Sequence, residues 1–496
     1  MLRRSENYRK SLIYRLPPEI IIAVASHLGD QDSLFCATQI SYLWRSALVS
    51  YPYLWSSPPF WNENQTLEFL ERSKSAPFSV DLMRCYHLSE VVKEKLKRST
   101  HMFSALRAVD SPFLYQLLIR PLPTLRSLEI TTPRQHPFLT SPTIYPSFPP
   151  PRAPNLTVFS FTLKLFPSYV KLPRMEGLLL DTLRGCPLLE VVSFCYDHSS
   201  LDVEPMTHET STKAVSLPLL RSFTHKTTSD TACIGIFNQL SLPPTCDITF
   251  AVKDATLNIQ RLDRNFTPLL DSPYLYDVKV VTMTFYPVKN GPMTIKITLV
   301  NSKNMKISFT RFEERSSDDH SLSVVKRFLE FLRSSEIFCS VEALHFRRFR
   351  TLFPVDDPFS DLTEALLKLR NLKTVEFWQC ETAFFPANVP PAAAWCPSVE
   401  NLEICLPKQY PWEATTSTVL EQVRDIAARR KEHGIPFKTL TLTSQAEKLL
   451  EKYGGLMEEL RSCVQELKWQ WRFPQAFEGD CWTGGIDSVF EPDSIF

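Results

Sequence analysis

The chain has 496 residues, 44% hydrophobic and 22% charged, with 55 Lys and Arg against 54 Asp and Glu. That length exceeds what one core supports, so a small module plus one elongated domain, or three globular domains, is expected of a chain whose composition is that of a folded protein. The charge balance leaves no basic field to gather phosphates, which argues against nucleic acid as a partner. The longest apolar run, Ile20 to Ala25, is far short of the roughly 20 residues that span a bilayer, so no membrane span is expected.

Arg3, Arg4, Arg9 and Lys10 precede no apolar stretch of signal-peptide type, and residues 1–12 read as a solvated flexible tail. Twelve cysteines are scattered from Cys36 to Cys481 without a C-x-x-C pair, which speaks against a zinc ribbon or a disulfide scaffold and for reduced thiols in the cytosol or nucleus. In that setting the N-x-[ST] triplets at Asn64, Asn155 and Asn265 are accidental. With 11 glycines against 39 prolines, the chain has neither G-x-G-x-x-G nor G-x-x-x-x-G-K, so no phosphate-cradling loop and no cofactor is expected.

From Leu16 to Leu28 the prolines Pro17 and Pro18 suit a helix start, and Ile20, Ile21, Val24 and Leu28 share an apolar face; Gly29 ends the helix. Asp30 or Asp32 caps a second helix carrying Leu34, Phe35 and Ala37. A third is expected over about Ile40 to Ser50, with Leu43, Trp44, Ala47 and Leu48 on one side and Pro52 blocking its continuation. Three helices in some forty residues bury too little surface to stand alone, so apolar residues left over must pack on a partner or on the following domain.

The residues Leu16-Pro17-x-Glu19-Ile20, Leu28, Asp32-Ser33-Leu34, Trp44-Arg45 and Pro52-x-Leu54-Trp55 resemble the F-box in order and spacing, over residues 13–57. The usual cysteine before the Trp-Arg pair is replaced, since Ile40-Ser41-Tyr42-Leu43 stands there. The resemblance implies docking on a Skp-type adaptor and, through it, on the cullin of a ubiquitin ligase. Carried over, the adaptor-binding positions are Leu16, Pro17, Ile20, Ile21, Val24, Leu28, Leu34 and Trp44.

Residues 58–100 read as a linker with a helix over Leu67 to Ala76, broken at Pro77, and a strand through Phe78, Val80 and Leu82. The Arg72-Ser73-x-Ser75-x-Pro77 ending also resembles a large group of fungal F-box proteins. Across residues 101–445 a pattern recurs: an apolar residue, a second three positions on, a third two after that. It appears at Leu125, Leu128, Ile130; Leu156, Phe159, Phe161; Leu189, Val192, Phe194; and Leu220, Phe223 with His225 in third place, the first residues 31, 33 and 31 apart. It returns at Val341, Leu344, Phe346; Leu372, Val375, Phe377; Val399, Leu402, Ile404; and Phe437, Leu440, Leu442, spaced 31, 27 and 38.

A near-constant period with one short strand per unit predicts a solenoid. Helices over Met175–Arg184 and Asp361–Arg370 make the units helix then strand. The fold class is therefore α/β: an N-terminal three-helix module followed by a solenoid that resembles an irregular leucine-rich-repeat domain. Leu372-x-x-Val375-x-Phe377-x-x-Cys380 reaches that family's Cys or Asn position.

The proline-rich stretch 131–154 reads as a loop, and period-2 alternation over about 245–310 predicts antiparallel hairpins. Thr418-x-x-Glu421 reads as a capping box for a helix whose last-turn Arg429, Arg430 and Lys431 complement its dipole before Gly434. Residues 446–496 are expected to form a helix over Leu456–Leu467 and a cap carrying Trp469, Trp471 and Trp482.

No G-x-S-x-G elbow or H-E-x-x-H helix occurs, Cys380 and Cys396 suit core or turn roles, and no catalytic or metal site is expected; the chain is not read as an enzyme. Strand positions between the apolar residues face away from the core, which makes Glu129, Ser193, His345, Arg347, Glu376, Trp378 and Glu403 the candidate contacts for an unknown target protein. The expectation is a substrate receptor, with an adaptor-bound scaffold that does not drive ubiquitination as the alternative.

Overall fold

The computed structural model describes residues 16–28, 30–83, 85, 88–109, 111–131, 150–164, 175–197, 214–227, 239–254, 277–286, 293–313, 332, 336–347, 365–378, 396–406, 412–444 and 453–471. Gly29, Asn265, Cys380, Trp395, Trp482, the tail 1–12 and most of the proline-rich stretch lie outside them. The chain divides into two units, Met1–Lys253 and Asp254–Phe496. Both mix helix and strand, and the chain is α/β.

The first unit opens with α1 (Pro18–Ser26), α2 (Gln31–Ile40), α3 (Tyr42–Val49), a 3-10 turn at Pro52–Trp55 and α4 (Glu63–Arg72). Then follow β1 (Phe78–Asp81), α5 (Glu90–Arg98), β2 (Phe103–Val109), α6 (Pro112–Leu118), β3 (Ser127–Thr131), β4 (Val158–Lys164), α7 (Met175–Gly185) and β5 (Val191–Asp197). After the short β6 (Val215–Ser216) come β7 (Ser222–Thr227), β8 (Leu240–Ser241) and β9 (Asp247–Asp254). β1, β2, β3, β4, β5, β7 and β9 pair in parallel, each with the next. β6 pairs with β8.

The register carries the apolar pattern. Leu128, Phe159, Val192, Phe223 and Ile248 form one buried row; Ile130, Phe161, Phe194, His225 and Phe250 form the next. Each row is completed by the strand beside it, so no single strand buries its own core face.

The recurrent proline has a local reason. The N–H groups of Leu125, Leu156, Leu189 and Leu220 donate to the carbonyls of Leu122, Ala153, Cys186 and Leu217 at 3.1–3.3 Å, closing a four-residue turn with Pro123, Pro154, Pro187 or Pro218 at its second position. There the ring's fixed φ costs nothing. The turn's third residue ties neighbours together: Asn155 Nδ2 donates to the Pro123 carbonyl and Thr124 Oγ1 to that of His101, both at 2.7 Å. The amide of the Asn155 triplet thus has a structural role.

The second unit contains β10 (Val278–Tyr286), β11 (Met293–Asn301) and β12 (Lys306–Glu313), an antiparallel meander that matches the expected hairpins. From β10 the sheet continues in parallel through β13 (Ala343–Arg347), β14 (Thr374–Trp378), β15 (Asn401–Cys405), β16 (Thr439–Ser444) and β17 (Glu466–Trp471). A helical turn at 365–368 precedes β14. α8 (Trp412–Glu432) joins β15 to β16, and α9 (Gly454–Cys463) joins β16 to β17.

Three expectations are corrected here. α8 begins at Trp412, so Thr418 lies inside the helix and caps nothing; Ser417 Oγ donates to Glu421 at 2.8 Å instead. Arg430 is not a solvated last-turn cation but is buried to 2% exposure, its guanidinium bonded to the carbonyls of Cys396 and Val399 and stacked 4.2 Å from the Phe437 ring centroid. The last helix ends at Cys463, and Leu467, Trp469 and Trp471 belong to β17, where Val464, Leu467 and Trp469 repeat the three-position pattern. The α8 helix does end before Gly434, at φ 77°, a conformation that suits glycine.

Candidate functional site

The N-terminal helices are set by capping. Asp30 accepts from the Ser33 N–H at 2.6 Å and from the Ser33 hydroxyl at 2.7 Å, which starts α2 and holds the Asp30 carboxyl below its ordinary pKa. Ser41, in extended backbone, ends α2 and accepts the Trp44 N–H at 3.2 Å to start α3. Ile40 therefore closes the second helix and does not open the third, as its spacing had suggested.

Packing splits the carried-over residues into two groups. Ile21, Leu34 and Trp44 lie in the module's own core with Ala25, Ala37, Ala47, Leu48 and Trp55, and Leu16 and Leu28 pack half-buried against it. Ile20 and Val24, one turn apart on α1, remain 47% and 45% exposed, and Pro17 is exposed beside them. Two β-branched side chains on one stripe of a helix, facing water, are an apolar surface without internal company. Ile40 and Tyr42 at the α2–α3 junction are also exposed apolar residues. Helical periodicity could not single them out, because they stand on either side of a cap.

The core also reaches past the expected module boundary. Phe69 of α4 is fully buried in it, 4.9 Å from the Trp55 ring centroid and 5.5 Å from that of Phe35. Trp55 Nε1 donates to the Leu48 carbonyl at 2.9 Å, so its one polar atom is satisfied in the interior.

The candidate target contacts fall on the strand faces opposite the buried rows. In the first unit, Glu129 pairs in register with Arg107 and Ser160, and Ser193 follows Ser160. Arg107 meets Glu129 at 3.0 Å and Asp81 at 3.7 Å, while Ser160, Ser193, Thr224 and Thr249 extend the same half-buried row. In the second unit, Thr282, His345, Glu376, Glu403, Thr441 and Lys468 form one row, and Arg347 and Trp378 sit side by side in the next.

Glu376 is 8% exposed, with His345 Nδ1 at 3.2 Å and Arg347 at 3.5 Å from the same carboxylate oxygen. Burial holds the His345 imidazole below its ordinary pKa, Glu376 opposing that shift and Arg347 adding to it. A buried carboxylate shared by a guanidinium and an imidazole is fixed in place rather than free to move. Among the described residues, no group of three or more His, Cys, Asp or Glu is placed to hold a metal ion, and no helix is long and apolar enough to cross a membrane.

Residues 13–59 match the family model described as F-box-like. The chain thus carries an F-box-like domain at its N-terminal end, and F-box domains in general bind Skp-type adaptors of SCF-type ubiquitin ligase complexes. No curated protein matches the sequence.

Proposed function

We propose that this chain is a substrate-receptor subunit of an SCF-type ubiquitin ligase. One observation carries the reading: on α1 of the F-box-like domain, Ile20 and Val24 face outward together while Ile21 between them is buried. They are the apolar anchors that helix-in-groove docking on a Skp-type adaptor uses, and the adaptor in turn recruits a cullin. The parallel strands, β3, β4, β5 and β7 among them preceded by a proline turn, support an irregular leucine-rich-repeat-like solenoid of the kind carried by fungal F-box proteins. Its outward strand positions, among them Glu129, Ser193, His345, Arg347, Trp378 and Glu403, receive the target protein; Glu376, buried at 8% exposure, is corrected from a contact to the internal partner that holds His345 and Arg347.

On this reading the chain works by binding at two places, in the cytosol or nucleus, and other subunits carry out ubiquitin transfer. Holding a target near a charged conjugating enzyme raises its effective concentration, for which no active site in this chain is needed. The test is ubiquitin transfer to a co-purified protein in a reconstituted adaptor–cullin complex, comparing wild type with Leu16→Ala plus Pro17→Ala. Point variants are preferable to deletion of the module, because Phe69 packs into its core and the Ser79 N–H donates to the Ser56 carbonyl at 2.6 Å. Transfer lost with the double variant supports the reading. Adaptor binding without any transfer favours a non-degradative scaffold.

A further inference from the structure

We infer that the adaptor-docking module does not end at residue 59: α4 is its fourth helix, Phe69 is a core residue of the module, and Arg72 is a positioning residue. The docking part of this inference rests on the adaptor reading above; the packing part does not.

Three sets of contacts lead to it. Phe35, Trp55 and Phe69 form a closed aromatic triangle with centroid separations of 4.9–5.8 Å, contributed by α2, the 3-10 turn and α4. Over that triangle lies the Arg72 guanidinium, 4.3 Å from the Trp55 ring centroid and 5.4 Å from that of Phe35, held by Glu68 at 2.5 Å. A planar cation stacked on an aromatic cluster fixes α4 against the helices before it, and Glu68, one turn back on α4, holds the cation there.

The connecting segment, which reads as a linker in the sequence, is bonded at three of its carbonyls. Ser56 accepts from the Ser79 N–H of β1, Ser57 from Gln31 Nε2 at 2.9 Å, and Pro59 from Thr66 Oγ1 at 2.7 Å and the Asn62 N–H at 3.2 Å. Gln65 Nε2 reaches Asp32 Oδ1 at 3.3 Å, and Ser89 Oγ donates to Glu63 at 2.7 Å. α4 is therefore tied to α2 through Gln65 and to the cap of α5 through Glu63, while Ser56, just after the 3-10 turn, ties the same body to β1. The docking surface on α1 and the edge of the first sheet are two ends of one packed body, so a shift of α4 moves both.

The test uses the full-length chain with Phe69→Ala, Phe69→Leu and Arg72→Lys, a purified Skp-type adaptor titrated by calorimetry, and amide hydrogen exchange. Phe69→Ala is expected to weaken adaptor binding by about tenfold, the factor that 1.4 kcal/mol represents. It should also speed exchange in α2, α3 and residues 52–55 while leaving β3 to β5 unchanged. Phe69→Leu should restore most of both effects, and Arg72→Lys, which keeps the charge and loses the planar stack, should shift them in the same direction as Phe69→Ala.

Faster exchange confined to α4, with affinity unchanged, would overturn the inference. If Phe69→Ala does not fold, Arg72→Lys decides by the same two readouts. If wild type does not bind the adaptor, the adaptor reading fails, and the exchange coupling between α4 and α2–α3 still decides whether α4 belongs to the module.

Discussion

Arg430 on α8 donates to the Val399 carbonyl at 2.6 Å, thirty-one residues earlier in the chain, just ahead of β15. A second guanidinium nitrogen meets the carbonyl of Cys396, whose φ of 45° places that turn in the left-handed region, and the plane rests on Phe437. Burial holds the guanidinium pKa down to about 10, and it stays charged at neutral pH. One side chain thus gives the Cys396 carbonyl a second donor beside the Val399 N–H, which closes the turn at 3.0 Å, reaches the Val399 carbonyl as well, and fixes α8 against the strand that precedes it.

Lysine cannot reproduce this fork, because a single ammonium cannot present coplanar donors to two carbonyls while stacking on a ring. Arg430→Lys should therefore destabilise the second unit by about 2–3 kcal/mol, the usual scale for losing hydrogen bonds from a buried charged group. Amide exchange in β15 and α8 checks this; wild-type rates would refute it.

His225 occupies a core position that phenylalanine fills in both neighbouring strands, as Phe194 and Phe250. It is fully buried, with ring centroids 6.4 Å from Phe194 and 6.5 Å from Phe223. Burial pushes its pKa from 6.5 down to about 3. The unfolded chain then binds the extra proton between those two values. Stability present above about pH 6.5 is lost as pH falls towards 3, by up to about 1.4 kcal/mol for each pH unit. Protection of β5, β7 and β9, taken relative to the intrinsic exchange rate at each pH, should fall between pH 7 and pH 5 in wild type by more than in His225→Leu, and an equal fall in both would show that the imidazole carries none of the dependence.

Trp55→Phe keeps most of the aromatic packing but removes the indole donor to Leu48, leaving that carbonyl with the Tyr51 N–H at 3.2 Å. The expected cost is about 0.5–1.5 kcal/mol, read as faster exchange in α3 and the 3-10 turn. A change below about 0.5 kcal/mol would mean that water or a neighbour replaces the bond.

Much of the fold is legible in the sequence because one local rule repeats. Proline at the second position of a turn, then apolar residues at fixed offsets, marks Leu125, Leu156, Leu189 and Leu220 as first residues of strand units, and each is buried where the pattern puts it. The period-2 alternation around Val278 to Phe309 likewise marks the antiparallel meander. What escapes the sequence is long-range. Nothing near Phe69 says that its ring belongs with Trp55 and not with the sheet, and nothing near Arg430 says that its partners are carbonyls at 396 and 399. Arg430 reads as a dipole cation because that is the commonest fate of a basic last turn.

At the candidate docking site, periodicity places Ile20, Ile21 and Val24 on one helix but cannot divide them. A helix has a buried side and an outer side, and only packing against α3 decides that Ile21 turns in while Ile20 and Val24 turn out.

That division is the central point, and adaptor affinity measures it. The full-length chain carrying Ile20→Glu and Val24→Glu, titrated with a purified Skp-type adaptor, should bind about a hundredfold more weakly or worse, because truncating central anchors typically costs about 2 kcal/mol or more each. Exchange in α2 and α3 should stay at wild-type rates, since neither side chain is part of the core. Undiminished affinity in a variant that retains those rates would contradict the account.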